Sequence, residues 1–418
     1  MASLPLASRA RRPSFGALFG LGGLPAETRR GLAIAFSTSV AVVMGVNMVY
    51  PLLPPMMAEL RLDKSSLALV MTVYTLPAIF LAPVTGALAD LWGRRPLLIG
   101  GLALMGLGGI AVALAPSLIW VLAARIVQGV GASALSPLTI LLLSDLTESE
   151  AAREASAQGL KVVLDRVAIA AVPAAAGLLA LRSWRLAFGL YALTLPVALL
   201  SLAWLAETKP PERRSVRGYV GSLGGIGRRP RLLIAFGAGS LRFFLDYGYF
   251  TYLPLFLTLA YHSSPAVVGL LLACFAAGAM LTASQAGRIS RGRDPAHLLF
   301  VGFVLSGAAL IAVPVLRTEA LAGVCLFVYG LGNGLISPFQ KNVLTRSSPP
   351  EIRAGVISLD RLLQQVAKTV SPAAMGAIML VASTQTVFWI LGALSLASVA
   401  LAAVVVRPWS RQTAFALA

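Results

Sequence analysis

Charge is what this sequence has least of. Only 12% of its 418 residues are Asp, Glu, Lys or Arg, about half the fraction usual in a soluble globular chain. Too little polar surface remains to face water on every side, which excludes an ordinary water-soluble domain. Acids are scarcer than bases, 16 against 34. The only histidines are His262 and His297, and the only cysteines, Cys274 and Cys325, both lie inside apolar runs. Neither a disulfide framework nor a metal centre fits that inventory, so no cofactor and no metal are expected. No Cys, Ser or Asp constellation surrounds the histidines, and no phosphate-cradling loop is present, which argues against an enzyme or a nucleotide-driven motor. The net charge of +18 and pI near 11.0 do not point to nucleic acid, because the basic residues sit between apolar runs instead of forming a solvated face.

What is abundant is apolar sequence: 58% hydrophobic residues and a mean hydropathy of +0.84. A helix crosses the hydrocarbon core with about 20 apolar residues. Runs of that kind fall near 32–57, 66–89, 97–116, 118–143, 156–181 and 184–206, then near 231–259, 265–286, 296–316, 319–344, 354–381 and 385–406. The fold class expected is an all-α polytopic membrane protein with twelve transmembrane helices in two six-helix bundles, 31–206 and 231–406. Residues 207–230, rich in Arg, Gly and Pro, read as a basic linker. Residues 1–30 read as a tail without signal-peptide character, and 407–418 as a second tail. Counting Lys and Arg by side, only Arg61, Lys64, Arg182, Arg185 and Arg317 fall in loops opposite the tails. Basic residues are enriched on the cytoplasmic side, so both termini are expected inside, in the cell (inner) membrane.

The two halves are related. Residues 127–138, VQGVGASALSPL, align without gaps to 328–339, VYGLGNGLISPF. Gly129, Gly131, Ser136 and Pro137 fall on Gly330, Gly332, Ser337 and Pro338, each 201 residues later. Pro173 and Gly177 fall on Pro372 and Gly376, and Gly93 and Arg94 on Gly292 and Arg293, each 199 later. Parallel repeats of this kind occur in transporters built from two related bundles.

Between the second and third runs stands Gly86-Ala-Leu-Ala-Asp90-Leu-Trp-Gly93-Arg94-Arg95. Gly93 permits a tight turn, and Asp90 with the two arginines sets opposite charges at one rim, where they can pair across the halves or with helix termini. This segment resembles the G-x-x-x-D-x-x-G-R-R signature of the major facilitator superfamily, in which the loop serves as a conformational latch. The second-half copy, Gly287 to Arg293, lacks the acid. In the fourth run, Arg125-Ile-Val-Gln128-Gly129-Val-Gly131-Ala132 is similar to the R-x-x-Q-G-x-G-A motif of the family's drug:proton antiporters, where the arginine is linked to proton transfer. The antiporter motif of the fifth run is represented here by Pro173 and Gly177 alone.

Charges inside a span are costly and therefore functional by default. The acids are Asp165, Asp246 and Asp360; the cations are Arg125, Lys161, Arg166, Arg242, Lys341, Arg361 and Lys368. Lys161 and Asp165, and Arg242 and Asp246, are spaced i,i+4 and can neutralise each other. Asp360, Gln364 and Lys368 form a stripe on one helix face. Three acids cannot balance seven cations, and surplus positive charge attracts anions. The first run offers Asn47 and Tyr50 in place of an acid, and Tyr249 belongs to an aromatic cluster able to stack a flat substrate. The leading expectation is a proton-coupled exporter of drug-like or amphipathic molecules, a monomer in the lipid bilayer, with Asp246, Asp360, Asp165 and Arg125 as coupling candidates. Substrate would be bound by Asn47, Tyr50, Arg166, Arg242, Tyr249, Arg361, Gln364 and Lys368. The alternative is a transporter of an organic anion, siderophore or lipid-linked anion using the same basic residues.

Overall fold

A computed structural model describes residues 24–147, 150–207, 230–291, 293, 295–348 and 352–415. Most of the N-terminal tail, nearly all of the basic linker and the last three residues lie outside the described residues, as do the surroundings of Gly86 and the Asp90 side chain.

Twelve long helices account for most of the described residues. The first half holds α1 (Ala26–Leu60, interrupted by a 3-10 turn at Tyr50–Leu52), α2 (Ser66–Trp92), α3 (Arg94–Ala113), α4 (Leu118–Leu146), α5 (Ala151–Ala180) and α6 (Trp184–Trp204). The second holds α7 (Pro230–Tyr261), α8 (Pro265–Ser284), α9 (Pro295–Ala312), α10 (Glu319–Arg346), α11 (Arg353–Ile378) and α12 (Thr384–Phe415). Eight of them, α1, α3 to α6 and α8 to α10, are long and apolar enough to cross a membrane. Shorter apolar stretches, Ser66–Leu81 and Thr384–Ala400, lie in α2 and α12. The remaining two, α7 and α11, run for 32 and 26 residues, which exceeds the ~20 needed to span. Interior charges and amides lower their hydropathy: Arg242 and Asp246 in α7, Asp360, Arg361, Gln364 and Lys368 in α11. These are the helices on which chemistry is concentrated.

Packing repeats between the halves. In the first, α4 packs on α1, α2 and α3, while α3 meets α6 and α1 meets α5 and α6. In the second, α10 packs on α7, α8 and α9, α9 meets α12, and α7 meets α11 and α12. The junction between halves is symmetric too, α5 along α8 and α2 along α11.

Glycine fixes the internal seams. A Cβ at Gly129 would stand 2.2 Å from the Tyr74 carbonyl oxygen, and one at Gly330 would stand 2.1 Å from that of Phe275. Gly101 and Gly131 approach each other's carbonyls between α3 and α4, as Gly302 and Gly332 do between α9 and α10. A hydroxyl seals the next seam in each half: Thr194 donates to the Leu102 carbonyl at 2.9 Å and Ser395 to the Phe303 carbonyl at 2.7 Å. The paired residues in these sets stand 201 positions apart, so the repeat read in the fourth span extends through three further helix pairs, α2 with α8, α3 with α9 and α6 with α12.

A candidate substrate and coupling site between the halves

Two buried carboxylates organise the second half. Asp246, on α7, is 7% exposed and accepts from the Tyr329 hydroxyl at 2.7 Å and from the Asn333 amide at 2.7 and 2.9 Å. Arg242, one turn earlier, pairs with it at 3.3 Å and also donates to the Asn333 amide oxygen. Asp360, on α11, accepts from the Gln340 amide at 3.0 Å and the Gln364 amide at 2.7 Å. Gln340 also donates to the Ala235 carbonyl of α7. Thus α10 supplies donors to both acids, Asn333 and Gln340 being seven residues apart on one helical face. Gly239 lets α7 come close to the second cradle: a Cβ there would lie 2.8 to 3.1 Å from Gln340, Gln364 and Asp360.

Around these acids stand cations from both halves. Lys368 holds its ammonium 4.2 Å from the Phe243 ring centre, and Arg242 stacks on the same ring at 3.8 Å. Arg242 lies within electrostatic range of Arg166, Lys341 and Lys368, and Arg361 within range of Lys341 and Lys368; Arg166 and Lys368 also feel Asp246, and Lys341 feels Asp360. Lys341 and Arg361 are exposed although they belong to this group, so a crevice between the halves opens towards the helix ends that bear Gly93, α10's last turn and α11's first.

The opposite ends are sealed. A Cβ at Gly177 would stand 2.2 Å from the Pro265 carbonyl oxygen, and one at Gly269 2.3 Å from that of Pro173. A Cβ at Gly376 of α11 would stand 2.8 Å from the Ala68 methyl of α2 and 3.0 Å from the Tyr252 hydroxyl of α7. Nearer the middle, Gln365 donates to the Thr75 carbonyl at 2.9 Å and Thr72 to the Thr369 carbonyl at 3.4 Å. Pro173 and Gly177 are therefore seam residues of the junction.

Arg125 is fully buried and, among the described residues, has no carboxylate within ion-pair distance. Its guanidinium donates to the Gly45 carbonyl at 3.1 Å through both terminal nitrogens, to the Val70 carbonyl at 3.3 Å and to Gln128 at 3.0 Å, with its face 4.0 Å from the Tyr74 ring. Gln128 passes the link to the Met105 carbonyl. One side chain ties α1, α2 and α4, and α3 through its neighbour. Asp165 pairs with Lys161 at 2.7 Å and accepts from Ser39 of α1 at 2.5 Å. Asn47 donates to the Val43 carbonyl of its own helix. It and Tyr50 line a small cavity with Ile169, Pro173, Phe250, Leu272 and Phe275. Tyr249 is fully buried against Phe250, Tyr329 and Phe388, so it is packed within the second half and away from the crevice.

At the Gly93 turn, where φ is +85°, Arg94 pairs with Asp145 at the end of α4. Glu207, past the end of α6, accepts the Arg94 backbone N–H at 2.9 Å and the Arg95 N–H at 3.4 Å, and Arg95 donates to the Leu202 carbonyl. Asp145 and Leu202 belong to the first half, and Glu207 is the linker residue that directly follows it.

Sequence reasoning brought Arg242 and Asp246 together, and grouped Asp360 with Gln364. It missed Tyr329, Asn333 and Gln340, which complete both cradles, and Ser39 and Glu207. The signal was available for α10: three polar residues on one face of a run dense in glycine and apolar side chains.

Comparison with known proteins agrees with this geometry. The description "Major Facilitator Superfamily" belongs to the family whose model matches residues 35–367 and again 235–414. The multidrug resistance protein B homologue of Mycobacterium tuberculosis (strain ATCC 25618 / H37Rv) is 25% identical over 84% of this chain and 76% of its own. The bacillibactin exporter of Bacillus subtilis (strain 168) is 31% identical over 27% of this chain and 30% of its own, so that match spans less than a third of the relative. Among solved structures, a bacterial homologue of the human lysosomal transporter Spinster, inward-facing and occupied, superposes with a TM-score of 0.76 at 16% identity, covering 91% of this chain and 98% of that one. Symmetric helix packing and a family match over most of the residues converge: the chain belongs to the Major Facilitator Superfamily, a multi-pass membrane transporter and not an enzyme.

Proposed function

We propose that the protein is a proton-coupled exporter of drug-like or amphipathic small molecules that works by alternating access of its two halves. The observation that carries this reading is the Asp246 cradle. A carboxylate buried mid-span, bound at once by Arg242, Asn333 and Tyr329, exchanges a proton only by loosening those contacts. Protonation releases Arg242 and biases the packing of α7 against α10, which is the kind of local charge change that shifts a two-state equilibrium. Asp360 is a second such group, clasped by neutral amides, and Asp165 a third. Arg125 braces the first half against which the change is read. The exporters among the relatives support outward transport.

In this reading 31–206 and 231–406 move as units joined by the 207–230 linker, both termini are cytoplasmic in the cell membrane, and the chain acts as a monomer. The crevice then faces the cytoplasm. The segment from Gly86 to Arg95, with Asp90, latches the opposite state. The test uses proteoliposomes containing the full chain, with luminal pH followed as candidate substrates are added. Transport that continues at an unchanged rate after the proton gradient is collapsed sinks the coupling. Asp246→Asn and Asp360→Asn, made separately, should leave substrate counterflow in place and abolish proton-driven accumulation in at least one of the two.

A further inference from the structure

Seven cations lie within the spans, and their partners differ. Arg125 is saturated by carbonyls, and Lys161 and Arg242 pair with acids. Among the described residues Arg166, Lys341, Arg361 and Lys368 have no carboxylate within ion-pair distance. Asp360, the remaining acid, is taken up by two amides. A cation left without a counterion at membrane depth is costly unless water or an anion reaches it. These four are linked electrostatically, Lys341 to Arg166 and Arg361, and Arg361 to Lys368.

The group is graded by depth. Lys341 and Arg361 are exposed near the Gly93 end, while Arg166 and Lys368 sit deeper and are half-buried. Arg361 and Lys368 are seven residues apart on α11, two turns on one face, or about 10 Å along the axis. At the deeper end, the Phe243 and Tyr247 rings lie 6.4 Å apart on one face of α7. Lys368 rests over Phe243 with no acid to hold it.

We propose that this crevice binds the acidic group of its substrate. The ligand class is a flat, amphipathic organic anion, whose carboxylate, sulfonate or phosphate is received by Lys368, Arg166 and Arg361, and whose apolar body lies along Phe243 and Tyr247. Surplus positive charge in a low-dielectric crevice attracts such ions and repels organic cations of the same shape. The site deepens the exporter reading by naming its substrate class, and it rests on that reading only in taking the crevice as the place where substrate binds.

The test is equilibrium binding to the purified full chain in detergent, with no gradient, using three probes that share one ring system: 2-naphthoate, 2-naphthylmethanol and 2-naphthylmethylammonium. The anion should bind at least tenfold more tightly than the cation. Lys368→Gln combined with Arg361→Gln should weaken the anion about a hundredfold and change the neutral probe less than threefold, while Lys368→Arg should keep most of the anion affinity. Equal or tighter binding of the cation by the wild-type chain overturns the proposal, and that comparison stands even where a variant does not fold. So does an anion affinity that survives the double substitution. Naphthoate that binds but crosses proteoliposomes without regard to the proton gradient refutes the coupling and leaves this site standing. Proton-driven export of a cation without naphthoate binding does the reverse.

Discussion

Replacing Gly269 by valine tests the seal between the halves. In the structure a Cβ at Gly269 would lie 2.3 Å from the Pro173 carbonyl oxygen, and the reciprocal position, Gly177, would meet the Pro265 carbonyl at 2.2 Å. Ordinary contact begins at 3.4 Å, so even one methyl requires α5 and α8 to part by about 1 Å, and the two branches of valine require more. The obstacle is backbone on a packed helix, which cannot rotate away as a side chain would. Overpacking of this kind costs about 1–3 kcal/mol, and each 1.4 kcal/mol is a factor of ten in an equilibrium. The ratio of sealed to parted forms should fall by roughly tenfold to a hundredfold. The assay is a spin-label distance between Arg182→Cys and Ser383→Cys, exposed positions in loops of opposite halves at the sealed end, after Cys274 and Cys325 are changed to serine. Gly269→Val should add a population several ångströms longer than that of the parent. An unchanged distance distribution in a monodisperse, helical variant refutes the claim that this glycine sets the seam.

Other substitutions separate scaffold from site. Arg125→Leu strands the Gly45 and Val70 carbonyls and Gln128, and at about 1–3 kcal/mol for each unpaired buried group it should lower thermal stability by roughly 3 kcal/mol or more in a detergent melt, whether or not substrate is present. Glu207→Ala removes the acceptor from the first turn of α3 and should cost about 1 kcal/mol, seen as faster hydrogen exchange confined to the Arg94 and Arg95 amides. Gly239→Ala pushes a methyl into the amides that hold Asp360, so proton-driven transport should drop several-fold while the melting temperature moves little; an unchanged rate would remove Asp360 from the coupling scheme.

The fold was legible from composition and periodicity, because lipid tolerates few solutions: apolar runs of spanning length had to be helices. All twelve runs in the sequence correspond to helices here. The site was half legible. The i,i+4 rule joined Arg242 to Asp246, since both lie on one helix. The donors that complete the cradle come from α10, and no local pattern says which face of α10 meets α7. The same limit applies at Gly93. The turn was evident from glycine and its charged neighbours, but Asp145 and Glu207 reach it from helix ends about 50 and 110 residues away. Tyr249 shows the converse. An aromatic on the right helix turned inward to Phe388, because spacing within a helix does not say which neighbour covers a face.

The glycine seams also have a mechanical meaning. Where carbonyl oxygens rest against Cα atoms there is no side chain to deform, so neither half can absorb a displacement by yielding internally. In the alternating access proposed above, each half would act as a stiff lever whose fulcrum is the α5–α8 and α2–α11 contact. On that proposal a shift of an ångström or two beside Asp246 would be carried to the far helix ends by leverage, enlarged in proportion to distance from the fulcrum, with no chain of intermediate contacts required to relay it.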